Sequence, residues 1–268
     1  MSQELYRKLK SGPFLIAGPC VIESRELVLQ VAETVQKISK EIGITYIFKA
    51  SFDKANRTSV DSFRGNHLEE SLKILQEVKD KFNLPVTTDI HESYQASIVG
   101  QVVDILQIPA FLCRQTDLLI EAGKTGRVVN IKKAQFLSGV DMAYPCKKVE
   151  STGNSNIMLT ERGSMFGYNS LVVDFTNIVE MKKFGYPVVM DVTHSTQKPG
   201  GLGGKSGGNR EYAPYIAKAA AAVGVDGFFF ETHPDPDKAL SDGPNMIRLS
   251  EFKGLLQEVM QIVNLKKK

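Results

Sequence analysis

Eight short apolar or β-branched runs recur along the chain, with amphipathic stretches between most of them, and few folds accept that alternation. The runs are Phe14–Ala17, Thr45–Lys49, Val86–Ile90, Ile105–Ile108, Val128–Lys132, Ile157–Thr160, Val188–Val192 and Gly227–Phe230. Helical spacing of apolar residues marks Glu26–Ile42, Leu68–Phe82, Ser93–Val99, Thr116–Ala122, Asn169–Phe184, Glu211–Val223 and Ser250–Val263. The connection 134–156 contains Pro145 and several small residues, so any helix there is short. Strands alternating with helices predict a parallel sheet. A run such as Gly-Phe-Phe-Phe is apolar at every position, which implies burial on both faces. Closing eight such strands gives an α/β fold, the (β/α)8 or TIM barrel, whose active site lies at the C-terminal ends of the strands. An open doubly wound sheet is the alternative, but no Gly-x-Gly-x-x-Gly opens the first helix. No low-complexity linker divides the 268 residues, so one domain is expected over 1–268, with an N-terminal extension (1–12) and a Lys-rich tail (264–268).

A net charge of +3 is too small to argue for a nucleic-acid partner. No apolar run approaches the ~20 residues that span a bilayer, so no membrane partner is expected. Residues 1–10 carry Glu4, Arg7, Lys8 and Lys10 around no apolar core and do not read as a signal peptide. Three widely spaced cysteines make no disulfide framework, and the cytoplasm is the expected compartment.

A polar group follows every strand at the same end. Cys20 follows the first, Lys49 and Lys54 the second, Asp89 and His91 the third, and Gln107 the fourth. Lys132-Lys133, Glu161-Arg162, His194, and Glu231 with His233 follow the remaining four. The stretch Ile47–Gly65 holds four cations, Lys49, Lys54, Arg57 and Arg64, among short hydroxyl and amide donors. Clustered Arg and Lys make charge-assisted bonds to phosphate and carboxylate, although a solvated basic loop has the same composition. Lys49, Lys54, Arg57, Arg114, Lys132 and Arg162 form the candidate anion-binding set. Lys132 follows an apolar strand, so its ammonium needs a partner, either an ion pair or a ligand.

Cys20, His194, Glu231 and Asp242 form a second set. Thiolate, imidazole and two carboxylates suit a divalent ion such as Fe²⁺, Zn²⁺ or Mn²⁺. A buried Cys20 acting as a small hydrophobe is the competing reading. Cys113 and Cys146 are expected to be structural, and His67 to be a surface residue at a helix start. The Gly-rich segment Gly200–Gly208 fails as a P-loop because Pro199 stands where the first glycine belongs. It reads as a mobile loop suited to closing over a substrate.

Several longer motifs give the chain a resemblance. They are Ala-Gly-Pro-Cys-Val-Ile-Glu-Ser (17–24), Phe-Asp-Lys-Ala-Asn-Arg (52–57), Gln-Ile-Pro-Ala-Phe-Leu-Cys-Arg-Gln-Thr-Asp-Leu (107–118) and Thr-Glu-Arg-Gly (160–163). Phe-Gly-Tyr-Asn (166–169), Asp-Val-Thr-His-Ser (191–195), Glu-Thr-His-Pro (231–234) and Leu-Ser-Asp-Gly-Pro (240–244) continue them. From about Phe14 to Leu256 the chain resembles the 3-deoxy-D-manno-octulosonate 8-phosphate synthases. That resemblance implies a (β/α)8 barrel, a homotetramer, and condensation of phosphoenolpyruvate with arabinose 5-phosphate on the route to lipopolysaccharide. It implies that Lys54, Lys132 and Arg162 hold phosphoenolpyruvate, helped by Lys49, Gln107 and the Ala110 backbone. Asn56, Arg57 and Thr58 would hold the pentose phosphate, with Arg114 entering from a neighbouring subunit. Asp89 and Gln197 join the substrate-binding set, and Lys54, His194 and Asp242 are the candidate catalytic residues. Cys20 with Ser241-Asp242 is similar to the metal-dependent branch, whose ion Cys20, His194, Glu231 and Asp242 would hold. Thr58 replaces the usual Ser and keeps its hydroxyl, while the 133–141 segment lacks the family's Gly and Pro-Trp. The related heptulosonate synthases, acting on erythrose 4-phosphate, are one alternative; a barrel that binds sugar phosphates without turnover is the other.

Overall fold

Side chains two apart along a strand share a face, and that period decides what fills the inside of this molecule. The computed structural model describes residues 2–55, 61, 63–200 and 207–265. Its eight main strands are Phe14–Gly18, Thr45–Lys49, Val86–Asp89, Ile105–Ile108, Val128–Lys132, Ile157–Glu161, Val188–Asp191 and Gly227–His233. They pair in parallel in chain order. The ring closes where Phe14 pairs with Gly227 and Gly18 with Glu231. This is the expected (β/α)8 barrel, with each strand within a residue or so of its expected span except the last, which runs on to His233.

The barrel interior is packed by Phe14, Ile16, Ile47, Ile105, Val128, Met158, Val189 and Phe229, while the alternate strand residues meet the surrounding helices. Gly18 is required at its place, since a Cβ there would lie 1.8 Å from the Lys49 carbonyl oxygen. The first main helix, Arg25–Ile42, is capped by Ser24, whose hydroxyl accepts from the Leu27 N–H, and stops at Gly43 in the left-handed conformation.

Two elements differ from expectation, and a third meets it. Residues Ser2–Ser11, expected only as an extension, form a helix that closes the floor of the barrel. Leu9 is fully buried against the interior residues, and the Tyr6 hydroxyl donates to the Ile157 carbonyl at 2.9 Å. The helix expected over Asn169–Phe184 shrinks to Thr176–Lys182. Gly163, Gly167 and Asn169 all take positive φ, and Ser164–Met165 pairs antiparallel with Leu171–Val172, so this segment spends its residues on a hairpin. The Asp174 carboxylate accepts from the Thr176 N–H at 2.9 Å and starts the helix late. In the 134–156 connection the helix is short, as expected: Ala143–Glu150, with Pro145 in its first turn, where a missing N–H costs nothing. No helix among the described residues is long and apolar enough to cross a membrane.

Candidate active site

Counting in twos from the interior residues Ile47, Ile105, Val189 and Phe229 reaches Lys49, Gln107, Asp191 and Glu231. Counting in twos from Val128 and Met158 reaches Lys132 and Arg162. Strand alternation therefore turns these polar side chains into the C-terminal mouth, just above the apolar plug. All six are buried. Lys133 and Glu161, one residue out of phase, face the other way.

The Cys20 thiol, a Glu231 carboxylate oxygen and an Asp242 carboxylate oxygen lie within 4.8 Å of one another. His194 Nε2 stands 3.5 Å from Glu231 Oε1 and 3.8 Å from Asp242 Oδ2. Its other nitrogen, Nδ1, is 3.0 Å from Asp191 Oδ1, and that oxygen also accepts the His194 backbone N–H at 3.1 Å. A carboxylate on Nδ1 fixes the ring and leaves Nε2 as the outward lone pair, the usual arrangement behind a metal-binding imidazole. Beyond the long last strand the chain loops round until Ile247–Arg248 pairs in parallel with Thr232–His233, and that loop carries Asp242 to the mouth. Asp242 has φ 49°, and the neighbouring Ser241 hydroxyl lies 2.8 Å from the Cys20 sulfur. The donor set of thiol, imidazole and two carboxylates fits a divalent transition-metal ion.

The charges in this cluster are interdependent. Burial pushes the Cys20 thiol up, and Glu231 adds to that, against the pull of Lys54. Burial alone would raise Glu231, yet His194, Lys49 and Lys54 outweigh it and hold the carboxyl well below the usual range. Lys49 Nζ donates to Glu231 at 2.7 Å and to the Cys20 carbonyl at 3.0 Å. Burial would lower Lys54, but Cys20, Glu231, Asp89 and Asp242 push it up, so its ammonium is a fixed charge.

On the opposite side, Lys132 Nζ lies 2.6 Å from Asp191 Oδ2 and 4.0 Å from the centre of the Phe229 ring. Burial nevertheless pulls Lys132 down, with Asp191 resisting. The guanidinium of Arg162 donates through Nη2 to Gln197 Oε1 at 2.6 Å, and Gln197 Nε2 reaches Asp242 Oδ2 at 3.3 Å. Gln197 thus joins the arginine to the thiol–carboxylate cluster. Arg162 Nη1, Gln107 Oε1 and Asp89 Oδ1 are buried without a hydrogen-bond partner. Each such orphan costs about 1–3 kcal/mol. They lie at the ends of strands three, four and six, where a polar ligand or water would satisfy them. Asp89 also holds His91 Nε2 at 3.1 Å, and this contact with Lys54 and Lys49 outweighs burial and depresses its pKa.

Most expected residues gather here: Cys20, Lys49, Lys54, Asp89, Gln107, Lys132, Arg162, His194, Gln197, Glu231 and Asp242. Ala110 is buried at the turn after the fourth strand. Arg114 is exposed, and its carbonyl accepts from Lys148. Asn56, Arg57 and Thr58 lie outside the described residues, as do residues 201–206 of the Gly-rich loop, whose base is a hairpin of Gln197–Lys198 with Gly207–Gly208. Arg64, one of the four cations of the Ile47–Gly65 stretch though not of the candidate anion-binding set, pairs with Asp53 through two nitrogens, at 2.9 and 2.5 Å. His233 likewise turns aside: its Nδ1 accepts the Asp235 N–H and Nε2 faces Glu23 at 3.6 Å. Cys113 and Cys146 are buried and His67 is exposed, as expected. Asp191 was not singled out as a site residue, although counting in twos along its strand finds it. His91 was noted after strand three and Ser241 within the Ser241-Asp242 motif, but neither was given a site role.

The model of the DAHP synthetase I family matches residues 10–266. A 2-dehydro-3-deoxyphosphooctonate aldolase of Cyanothece sp. is 60% identical over 251 residues, covering 93% of this chain and 92% of the relative. The protein of that name from Synechococcus sp. is 57% identical over 248 residues, with coverages of 92% and 87%. The one from Campylobacter jejuni is 53% identical over 262 residues, with coverages of 94% and 96%.

Proposed function

The chain belongs to the DAHP synthetase I family, and from that premise we propose how its barrel mouth performs the family's chemistry. The enzyme condenses phosphoenolpyruvate with D-arabinose 5-phosphate and water, giving 3-deoxy-D-manno-octulosonate 8-phosphate and inorganic phosphate. High identity over nearly the whole chain to relatives with the octonate name carries this assignment, and the erythrose 4-phosphate alternative is not favoured.

C3 of phosphoenolpyruvate bonds to the aldehyde carbon, the water oxygen bonds to C2, and the C2–O bond to phosphate breaks. Two anionic substrates repel each other, so the site must supply positive charge. Lys54, Lys132 and Arg162 hold phosphoenolpyruvate, with Gln107, Lys49 and the Ala110 backbone completing the cradle. The partnerless Arg162 Nη1 and Gln107 Oε1 support this placement. Lys54, whose ammonium the surrounding anions favour in the metal-free site, stabilises developing negative charge. Asn56, Arg57 and Thr58 hold the pentose phosphate, and Asp89 faces the sugar. Fixing both substrates in attacking geometry lowers the barrier by several kcal/mol, of the order of 7 at the low end of known intramolecular cases.

Cys20, His194, Glu231 and Asp242 hold a divalent ion, Fe²⁺, Zn²⁺ or Mn²⁺, a role their convergence supports. When bound, such an ion supplies Lewis acidity toward a water or carbonyl oxygen. His194 presents Nε2 because Asp191 occupies Nδ1. Asp242, held by Gln197, ties the ion site to the arginine. The working assembly is a homotetramer in which Arg114 enters a neighbouring mouth. Exposure of Phe111, Phe136, Phe166 and Tyr168 on the loops after strands four to six supports such contacts. Three free thiols, all buried, support a cytoplasmic location.

The test is phosphate release from phosphoenolpyruvate with arabinose 5-phosphate or erythrose 4-phosphate, before and after chelation and metal return. Release with the pentose alone, lost to chelator and restored by Mn²⁺ or Fe²⁺, is expected. Release that ignores the chelator would remove the metal role, and release with the tetrose alone would remove the substrate assignment.

A further inference from the structure

Lys133 and Glu161 are fully buried charges that line no part of the mouth, yet they stand directly behind its anion-binding rim. Lys133 follows Lys132 and Glu161 precedes Arg162, so alternation turns each pair to opposite faces of the barrel wall. Glu161 Oε1 accepts the backbone N–H of Arg162 at 3.0 Å and of Gly163 at 2.6 Å. Gly163 has φ 92°, so this carboxylate closes a left-handed turn immediately beyond the arginine. Lys133 Nζ lies 3.6 Å from the same carboxylate oxygen. It also donates to the carbonyls of Ala134 at 3.2 Å and Leu137 at 3.0 Å, and to Ser164 Oγ at 3.2 Å. One ammonium therefore ties the chain leaving strand five to the chain leaving strand six. Burial works against both charges, lowering the Lys133 pKa and raising that of Glu161. A buried pair of this kind is weak evidence for stability and asks for another role.

We propose that Glu161, backed by Lys133, is a positioning residue: it fixes the Arg162 backbone and thereby aims the guanidinium at the anionic substrate. The inference rests on the reading that Arg162 binds phosphoenolpyruvate. What matters is where the acceptor oxygen stands, more than the charge itself. Glu161→Asp keeps both charges and retracts the shared acceptor oxygen by about one bond length, ~1.5 Å. The double variant Lys133→Met/Glu161→Gln removes both charges and leaves an acceptor oxygen in place.

Steady-state kinetics in both substrates, with circular dichroism and thermal melts, separate the cases. Glu161→Asp is expected to raise KM for phosphoenolpyruvate about tenfold or more, with kcat and the pentose phosphate KM within about threefold of the parent. The double variant is expected to stay within about threefold of the parent on all three. A purely structural charge pair predicts the reverse order, and that order overturns the proposal. So does an unfolded Glu161→Asp, because both charges are retained and a positioning role alone leaves the fold standing. Arg162→Ala serves as the control: an unchanged phosphoenolpyruvate KM there overturns the reading of Arg162 itself, whereas a raised KM beside a silent Glu161→Asp overturns only the positioning role.

Discussion

Replacing Asp191 by Asn separates two jobs that one buried carboxylate performs. Oδ2 accepts from Lys132 Nζ at 2.6 Å and lies 2.8 Å from His194 Nδ1, while Oδ1 accepts the His194 N–H and stands 3.0 Å from Nδ1. Without its counter-charge, a buried ammonium costs about 3–5 kcal/mol. Lys132 has an escape, since burial already pulls its pKa down. Losing the proton at pH 7.5 from an ordinary lysine pKa of about 10.4 costs about 4 kcal/mol, which caps the destabilisation. The Asn amide also presents N–H toward Nδ1, which drives the imidazole proton onto Nε2, the nitrogen a metal needs. Disturbing such a partner typically costs about 10–100-fold in metal affinity. Denaturant unfolding of the metal-free protein should therefore show a loss of about 2–4 kcal/mol. Competition against a chromophoric chelator should show Mn²⁺ affinity down by about 10–100-fold. His194 and Lys132 outweigh burial in holding Asp191 below the carboxylate range, so its contribution is complete above about pH 4 and is lost as pH falls through the lower folded value. A variant within about 0.5 kcal/mol of the parent and within about threefold in metal affinity would refute the argument.

Other substitutions probe the remaining elements. Arg64→Ala should leave KM for both substrates within about twofold and cost about 0–1 kcal/mol, because this cation is used in a partly exposed pair with Asp53; a large rise in either KM would place it in the substrate site. Leu9→Ala should lower stability by about 2–5 kcal/mol in a denaturant melt, since Leu9 closes the barrel floor. An unchanged melt would mean that the N-terminal helix adds nothing. Burial pushes the Cys146 thiol up to about 12. The raised folded value means its contribution is full below the unfolded thiol pKa and falls as pH rises, by about 1.3 kcal/mol between pH 7.5 and 9.5 for an unfolded value near 8.5. Cys146→Ala should flatten that alkaline loss, and an unchanged slope would exclude the thiol.

Residues whose place follows from strand alternation were legible in advance. Lys49, Gln107, Lys132, Arg162 and Glu231 sit where counting from apolar neighbours puts them, because a pleated strand admits only two faces. Arg64 and His233 were not separable from true rim residues, since both follow strands and both are polar. Their diversion depends on Asp53 and Glu23, whose approach no local pattern announces. The helix over Asn169–Phe184 failed for a related reason: its apolar spacing is helical, but positive φ at Gly167 and Asn169 commits the first half to a hairpin.

By itself the chain's order of residues determined the alternation of strand and helix, and with it the barrel, because burial periodicity is a local property that tertiary contacts here reinforce. It also determined which chemical groups leave the strand ends together. Only the tertiary structure decided which of those groups meet. Cys20, His194, Glu231 and Asp242 are far apart in sequence, and their convergence needs ring closure between the first and last strands and the return of the Ser241–Asp242 loop. The structure alone showed that Asp191 serves Lys132 and His194 at once, and that Glu161 grips the backbone behind Arg162. Such pairings depend on distances of about 3 Å between atoms on different strands, and no one-dimensional spacing encodes them.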